Sequence, residues 1–284
     1  MLPCVGRLLI LSGLIAGGLV SAGRADDAFS RKLHPWGNCG VGAWKMVRVV
    51  TKCVDESGNL TRTNTTETKT TLQQIDDRAV TLQVSTVVEF LGKRFDSYSE
   101  TLRQGFHGEP DDERLKIRPL GNAPLVIEGR TIPCAVLQLE LATPECKTVT
   151  TLTYCDTLAP YVFKRVSIVT DAEGKPLSNT TSEVVALDMP CEVLSDVKST
   201  AEIRTVYRHA NGMITTLSFV CPEVPGGVVA HSSKEVDKSG HVTRMSVLKV
   251  VGYSFEPEEE DRPGLFGRKR TSRFHVYSTI PSSR

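Results

Sequence analysis

Ile132-Pro133-Cys134-Ala135-Val136-Leu137 returns later in the chain as Met189-Pro190-Cys191-Glu192-Val193-Leu194. Behind each copy comes a second matched run, Thr150-Thr151-Leu152-Thr153-Tyr154 and Thr215-Thr216-Leu217-Ser218-Phe219. A proline turn follows each of these, and then a D-x-x-G turn, Asp171 to Gly174 and Asp237 to Gly240. A third D-x-x-G, Asp55 to Gly58, lies between strand-like runs in the first half. A short β unit cannot bury its apolar face alone, so repeated units must stack or close on a shared core. The expected fold is therefore mainly β: antiparallel strand hairpins in repeated units, forming an open barrel or stacked sheets, with few short helices.

The runs around these units carry the same period. Val80, Leu82, Val84, Val88 and Phe90 share one face of a strand, opposite Thr81, Gln83, Ser85 and Glu89. Leu91-Gly92-Lys93 reads as a tight turn into a strand from Arg94 to Leu102, and Ala135, Leu137, Leu139 and Leu141 share a face. Seven threonines over 61–71 suit an exposed strand, being β-branched and polar at once. From Arg244 to Tyr253 both faces carry apolar residues, which predicts a strand covered on both sides. Helix signals are sparse: Glu109 to Lys116 reads as a short helix or a polar link between the first strands and the repeats, and Ser195 to Val206 as a helix with Ser195 as cap.

In each D-x-x-G the Asp is expected to bond forward onto the backbone, and the Gly to take the left-handed conformation that rejoins the sheet. Asp55, Asp171 and Asp237 lack the further oxygen ligands of a calcium loop. Pro225-Gly226-Gly227 looks like an anion cradle, but the other copy reads Ala159-Pro160-Tyr161, so a shared turn accounts for it better.

The chain opens with Arg7, an apolar run from Leu8 to Val20, and small residues at Val20-Ser21-Ala22 and Ala25. That order predicts a signal peptide over 1–25 and a secreted or periplasmic mature protein without a transmembrane segment. Behind it are expected a first β unit over 36–107, two repeated β units over 125–255 that continue the first as one β structure, and a mobile charged tail over 256–284. Cleavage takes Arg7 and Arg24 with it and leaves 32 basic against 33 acidic residues. A balanced surface excludes a dedicated nucleic-acid binder, which needs a basic stripe.

Cys39, Cys53, Cys134, Cys146, Cys155, Cys191 and Cys221 remain after cleavage, an odd number. The repeats point to one scheme, Cys134 with Cys155 and Cys191 with Cys221; the other reading makes the cysteines small buried hydrophobes. No C-x-x-C is present and no histidine sits at a ligand spacing beside a cysteine pair, so neither a metal nor a cofactor is expected.

Catalytic patterns are missing too. His34, His107, His209, His231, His241 and His275 form no H-E-x-x-H, and there is neither a G-x-S-x-G elbow nor a phosphate loop. Cys221 with His231 is the nearest approach to a nucleophile and base, if folding brings them together. No catalytic or ligand-binding residue is assigned on sequence grounds. Trp36, Trp44, Tyr154, Tyr161, Phe163 and Phe219 are either core or the wall of an apolar groove.

The run Phe219-Val220-Cys221-Pro222-Glu223-Val224-Pro225-Gly226-Gly227-Val228, set among exported antiparallel hairpins over Val126 to Phe255, resembles uncharacterised secreted β-rich bacterial proteins. More distantly it is similar to periplasmic lipoprotein carriers of the Lol type. That resemblance implies an incomplete antiparallel barrel around an apolar cavity for acyl chains. The expectation is an exported non-catalytic envelope protein that binds or carries an apolar or lipid-like ligand, or acts as a structural or interaction module with another envelope protein. The alternative is an exported hydrolase with a site assembled from residues distant in sequence.

Overall fold

Alternation and β-branched content turn almost every described segment into strand. The computed structural model describes residues 31–90, 93–109 and 114–257. The expected signal peptide, the Leu91-Gly92 turn, Pro110 to Glu113 and the tail beyond Pro257 lie outside them. A single turn of 3-10 helix, Arg31–Leu33, precedes the strands. The first stretch gives β1 (Trp44–Val54), β2 (Leu60–Ile75), β3 (Ala79–Phe90) and β4 (Lys93–Gly105). β5 (Lys116–Asn122) and a short ribbon, β6 (Leu125–Ile127) with β7 (Arg130–Ile132), follow. Then come β8 (Ala135–Ala142), β9 (Cys146–Tyr154), β10 (Val162–Asp171) and β11 (Pro176–Val193). The last four are β12 (Asp196–His209), β13 (Gly212–Val220), β14 (Val228–Asp237) and β15 (Val242–Ser254).

Apart from the ribbon, the described strands form one antiparallel sheet in the order β4-β3-β2-β1-β15-β14-β13-β12-β11-β10-β9-β8-β5. The amino-terminal hairpins join the rest by pairing of β1 with β15. The sheet is not closed: β4 and β5 are its edges. β5 is exposed throughout and carries Lys116, Arg118 and Pro119, which discourage edge-to-edge pairing. The sheet curls strongly, because Leu72 of β2 and Val80 and Leu82 of β3 share a core with Leu137, Leu139, Leu152, Tyr154 and Val162 from β8, β9 and β10.

The two ends of this open barrel differ. One end carries the tight turns, among them the three D-x-x-G sequences. Asp55 Oδ1 accepts from the amides of Ser57 and Asn59 at 3.0 and 2.8 Å. Asp171 Oδ1 accepts from Glu173 and Lys175, and Asp237 Oδ1 from Ser239 and His241. Gly58, Gly174 and Gly240 have φ of 80°, 83° and 85°, the region in which a side chain is strained. The other end carries the long loops 33–43, 155–161 and 221–227, and the β6–β7 ribbon covers it. Ile127 and Ile132 of the ribbon pack on Phe163, Val184, Leu187 and Ile203. Glu128 accepts the Leu187 amide at 3.0 Å, and Arg130 pairs with Asp188 at 2.9 Å.

The segment expected as a helix from Ser195 to Val206 is strand from Asp196 onward, with Ser195 in the preceding turn. Val197, Thr200, Ile203, Thr205 and Val206 are β-branched, and β12 is hydrogen-bonded to β11 on one side and β13 on the other. β15 is covered on one face only over most of its length: Met245 and Val247 are exposed, while Ser246 and Leu248 turn inward. The threonine-rich β2 is exposed at its start and half-buried from Asn64 to Thr71. Thr150–Tyr154 and Thr215–Phe219 occupy β9 and β13, and each leads through a cysteine into a proline loop. Pro133-Cys134 precedes β8, whereas Pro190-Cys191 lies within β11.

Candidate functional site

The inner face of the barrel is built by residues in direct cross-strand register. Directly opposed residues point to the same face, so the register reads out rows that cross the sheet. One row runs Ser182 (β11), Thr205 (β12), Thr216 (β13), Ser233 (β14), Ser246 (β15), Thr51 (β1) and Asn64 (β2). Every member is a hydroxyl or amide residue. Ser182 bonds Thr205 at 2.8 Å, and Thr216 donates to Ser233 at 3.0 Å. Small side chains here let the strands curl, and the hydroxyl pairs satisfy one another. Asn64 Oδ1 is buried without a hydrogen-bond partner in the structure.

Two residues nearer the loop end, the parallel row reads Val184, Ile203, Ser218, His231, Leu248, Val49, Thr66 and Val88. Two residues nearer the turn end it reads Thr180, Tyr207, Ile214, Glu235, Arg244, Cys53 and Arg62. Arg244 pairs with Glu235 at 2.7 Å. The inner face is thus graded along the barrel axis, from an apolar core under the loops, through a partly apolar row and a hydroxyl row, to a charged rim.

Accessibility divides this face in two. On β11, β12 and β13 the inner residues are packed: Ser182, Val184, Ile203, Thr205 and Thr216 are all buried. On β14, β15, β1, β2 and β3, His231, Ser233, Ser246, Leu248, Val49, Thr51, Asn64, Thr66 and Val88 are half-buried, while Ser232, Lys234, Met245, Val247 and Lys249 between them are exposed. Half-burial leaves part of each of these inner side chains accessible. His231 lies in this accessible half; burial lowers its pKa, and its Nδ1 has no hydrogen-bond partner in the structure.

A second polar group lies at the loop end, enclosed by the core. His34 is 2% exposed and accepts the Trp36 amide on Nδ1 at 3.2 Å. It sits beside Gln104, and burial pulls its pKa down to about 4. Glu109 meets His107 Nδ1 at 3.0 Å, its carboxylate occupying the space where a side chain on Gly105 would be. Arg165 donates to the His107 carbonyl at 2.9 Å, and burial holds it below its usual pKa with Glu109 opposing. These contacts tie the loop after β4 to β10, across the open edge of the sheet. Lys45 is buried nearby, donates to the Val228 carbonyl at 3.1 Å, and has its pKa brought down to about 7 by desolvation.

The residues singled out from sequence are dispersed. His231 faces Ser218, three residues or roughly 10 Å along the strand from Cys221. Cys221 instead packs with Val193, Val224, Val229 and Val250, so these two form no nucleophile and base pair. Trp36, Tyr154 and Phe163 are core, each 1% exposed. Trp44 stacks under Lys69 at 4.8 Å, Phe219 packs at the Cys221 cluster, and Tyr161 sits in the proline loop with φ of 69°. Gly226 lies against the Trp36 indole, 2.8 Å from where its Cβ would be, and donates to the Pro35 carbonyl. The two glycines of this loop therefore serve close packing rather than an anion. The seven described cysteines are all free thiols, so neither expected pair is bonded in this structure.

No protein-family model matches the chain, and a search of curated proteins gives no match. Three solved structures are similar over most of their length. A protein of Bacteroides fragilis NCTC 9343, described as exported with a YmcC-like fold, is 9% identical with a TM-score of 0.33, over 75% of this chain and 97% of that one. A protein of Parabacteroides distasonis ATCC 8503 described as a lipoprotein is 10% identical with a TM-score of 0.32, over 72% and 95%. A DUF1329 family protein of Desulfovibrio piger ATCC 29098 is 8% identical with a TM-score of 0.33, over 78% and 88%. Likenesses of this size assign neither fold nor function.

Proposed function

We propose that this chain is an exported, non-catalytic envelope protein that holds an amphiphilic, lipid-like ligand on the accessible half of its inner face. The observation that carries the reading is the gradient along the barrel axis. Val49, Leu248 and Val88 offer half-buried apolar surface next to the core, where an acyl chain gains from leaving water. Ser233, Ser246, Thr51 and Asn64 come next and hydrogen-bond a polar linkage, and Arg62 and Arg244 at the rim meet a head group. The order apolar, hydroxyl, charged matches the order of groups along an amphiphile. An open antiparallel sheet covered at one end also suits the distant resemblance to Lol-type carriers. Export rests on the amino-terminal pattern of Arg7, the apolar run and the small residues before Ala25.

The buried His107–Glu109 pair gives the hydrolase alternative little support, since it is enclosed and serves to fix a loop. The test is the protein purified from its native envelope without detergent and weighed by native mass spectrometry. An additional mass that extracts into organic solvent as an amphiphile, near one per chain, is expected. A well-folded protein whose mass is that of the polypeptide alone would favour a structural or interaction role instead.

A further inference from the structure

We propose that Cys134 and Cys155 are a disulfide-forming pair, selected by the fold from among the seven described cysteines. Ala135 of β8 faces Tyr154 of β9 in the antiparallel register, so the next position outward sets Cys134 opposite Cys155. The two do not exchange ladder bonds: the Cys134 carbonyl accepts from Ala123, and the Cys155 amide donates to Tyr161. A non-hydrogen-bonded antiparallel pair brings its Cα atoms to about 4.5 Å, the short end of the disulfide range. Both residues are 4% exposed and belong to one apolar cluster. Burial, and then the neighbouring Cys155, push the Cys134 thiol up to about 11.

The other cysteines are placed differently. Cys191 lies on β11 opposite Lys198 and Cys221 follows β13, so β12 stands between their backbones, about 10 Å or two strand spacings apart, although both side chains reach the cluster around Val193 and Val224. Cys53 faces Arg62 and Arg244, and Cys146 faces Asp171. Cys39 sits in the 33–43 loop beside Lys45.

The oxidant is a disulfide, either a small molecule or the active-site disulfide of an oxidoreductase. One cysteine thiolate attacks it, forming a mixed disulfide and releasing one thiolate. The second cysteine thiolate attacks the cysteine sulfur of that intermediate, closing the Cys134–Cys155 bond and releasing the other. The two cysteine thiols give up two electrons and two protons, and the oxidant leaves as two thiols. The bond would pin the start of β8 to the proline loop after β9, beneath the β6–β7 ribbon. Its formation in the cell rests on the export reading, because the cytoplasm keeps thiols reduced.

The purified full chain, refolded in a glutathione redox buffer, would be alkylated and digested with trypsin and a Glu-specific protease. Cleavage at Glu140 and Glu145 separates Cys134 from Cys146. A linked Cys134–Cys155 peptide is expected, absent from Cys134→Ser. Reduction should lower the melting temperature of the wild type and leave that of the Cys134→Ser, Cys155→Ser variant unmoved. Alkylation of both residues in oxidised wild type, or linkage of either to another cysteine, would overturn the pairing. Protein taken from its host with thiols blocked at lysis separates the two readings. If Cys134 and Cys155 are reduced there while the purified chain oxidises, the pair stands and export falls.

Discussion

Trp36→Ala is expected to lower the unfolding free energy by about 3–5 kcal/mol, the usual range for a fully buried large aromatic. Trp36 is 1% exposed and lies in the cluster that joins Leu72, Val80 and Leu82 to Leu137, Leu139, Leu152 and Tyr154. It therefore fills the space where the curled ends of the sheet meet, and Gly226 is a glycine so that the 221–227 loop can close on its ring. Its removal leaves a cavity bounded by strands from both ends of the sheet, which cannot collapse without opening the barrel. Urea unfolding should show a lower midpoint at unchanged slope. Trp36→Phe should lose less, because the indole Nε1 makes no hydrogen bond in the structure. A near-neutral Trp36→Ala would mean that the loop end is not sealed by this side chain.

Stability should also fall on mild acidification because of His34. Burial lowers its folded pKa to about 4 from an ordinary 6.5. Between those values the unfolded chain binds a proton that the folded one excludes, so the unfolding free energy falls as pH drops through that window and levels off below it. At 1.36 kcal/mol per pKa unit the loss is about 3 kcal/mol. Protonation at Nδ1 also displaces the Trp36 amide from its acceptor. Carboxylates titrate in part of the same range, so the quantity to measure is the difference between wild type and His34→Gln in urea unfolding at pH 7 and pH 4.5. The variant should lose less stability than the wild type over this interval, and parallel losses would place His34 in water.

What was legible in the sequence was whatever depends on neighbours along the chain. The alternation from Val80 to Phe90 became β3, the threonines of 61–71 became β2, and the Asp and Gly of each D-x-x-G took the expected turn geometry. Ser195 to Val206 misled because a serine cap and two spaced apolar residues fit a helix locally, while pairing with β11 and β13 decides the strand. The row from Ser182 to Asn64 was illegible, since its members lie on seven strands and meet only through register. The same holds for His34 with Gln104 and for Glu109 with Arg165, which long-range closure of the sheet brings together. A polar residue at Leu137 would be a poor probe of ligand binding, because Leu137 is 1% exposed and fills the core.

The inner-face account is tested most directly by titrating a fluorescent acyl-chain probe into wild type and Val49→Asn. Val49 is half-buried between Leu248 and Thr66, so the substitution changes the accessible surface rather than the packed core. Saturable binding near one probe per chain is expected, weakened about tenfold in the variant, a difference of 1.4 kcal/mol, with little change in melting temperature. No binding by folded wild-type protein, or equal binding by both, would contradict the account.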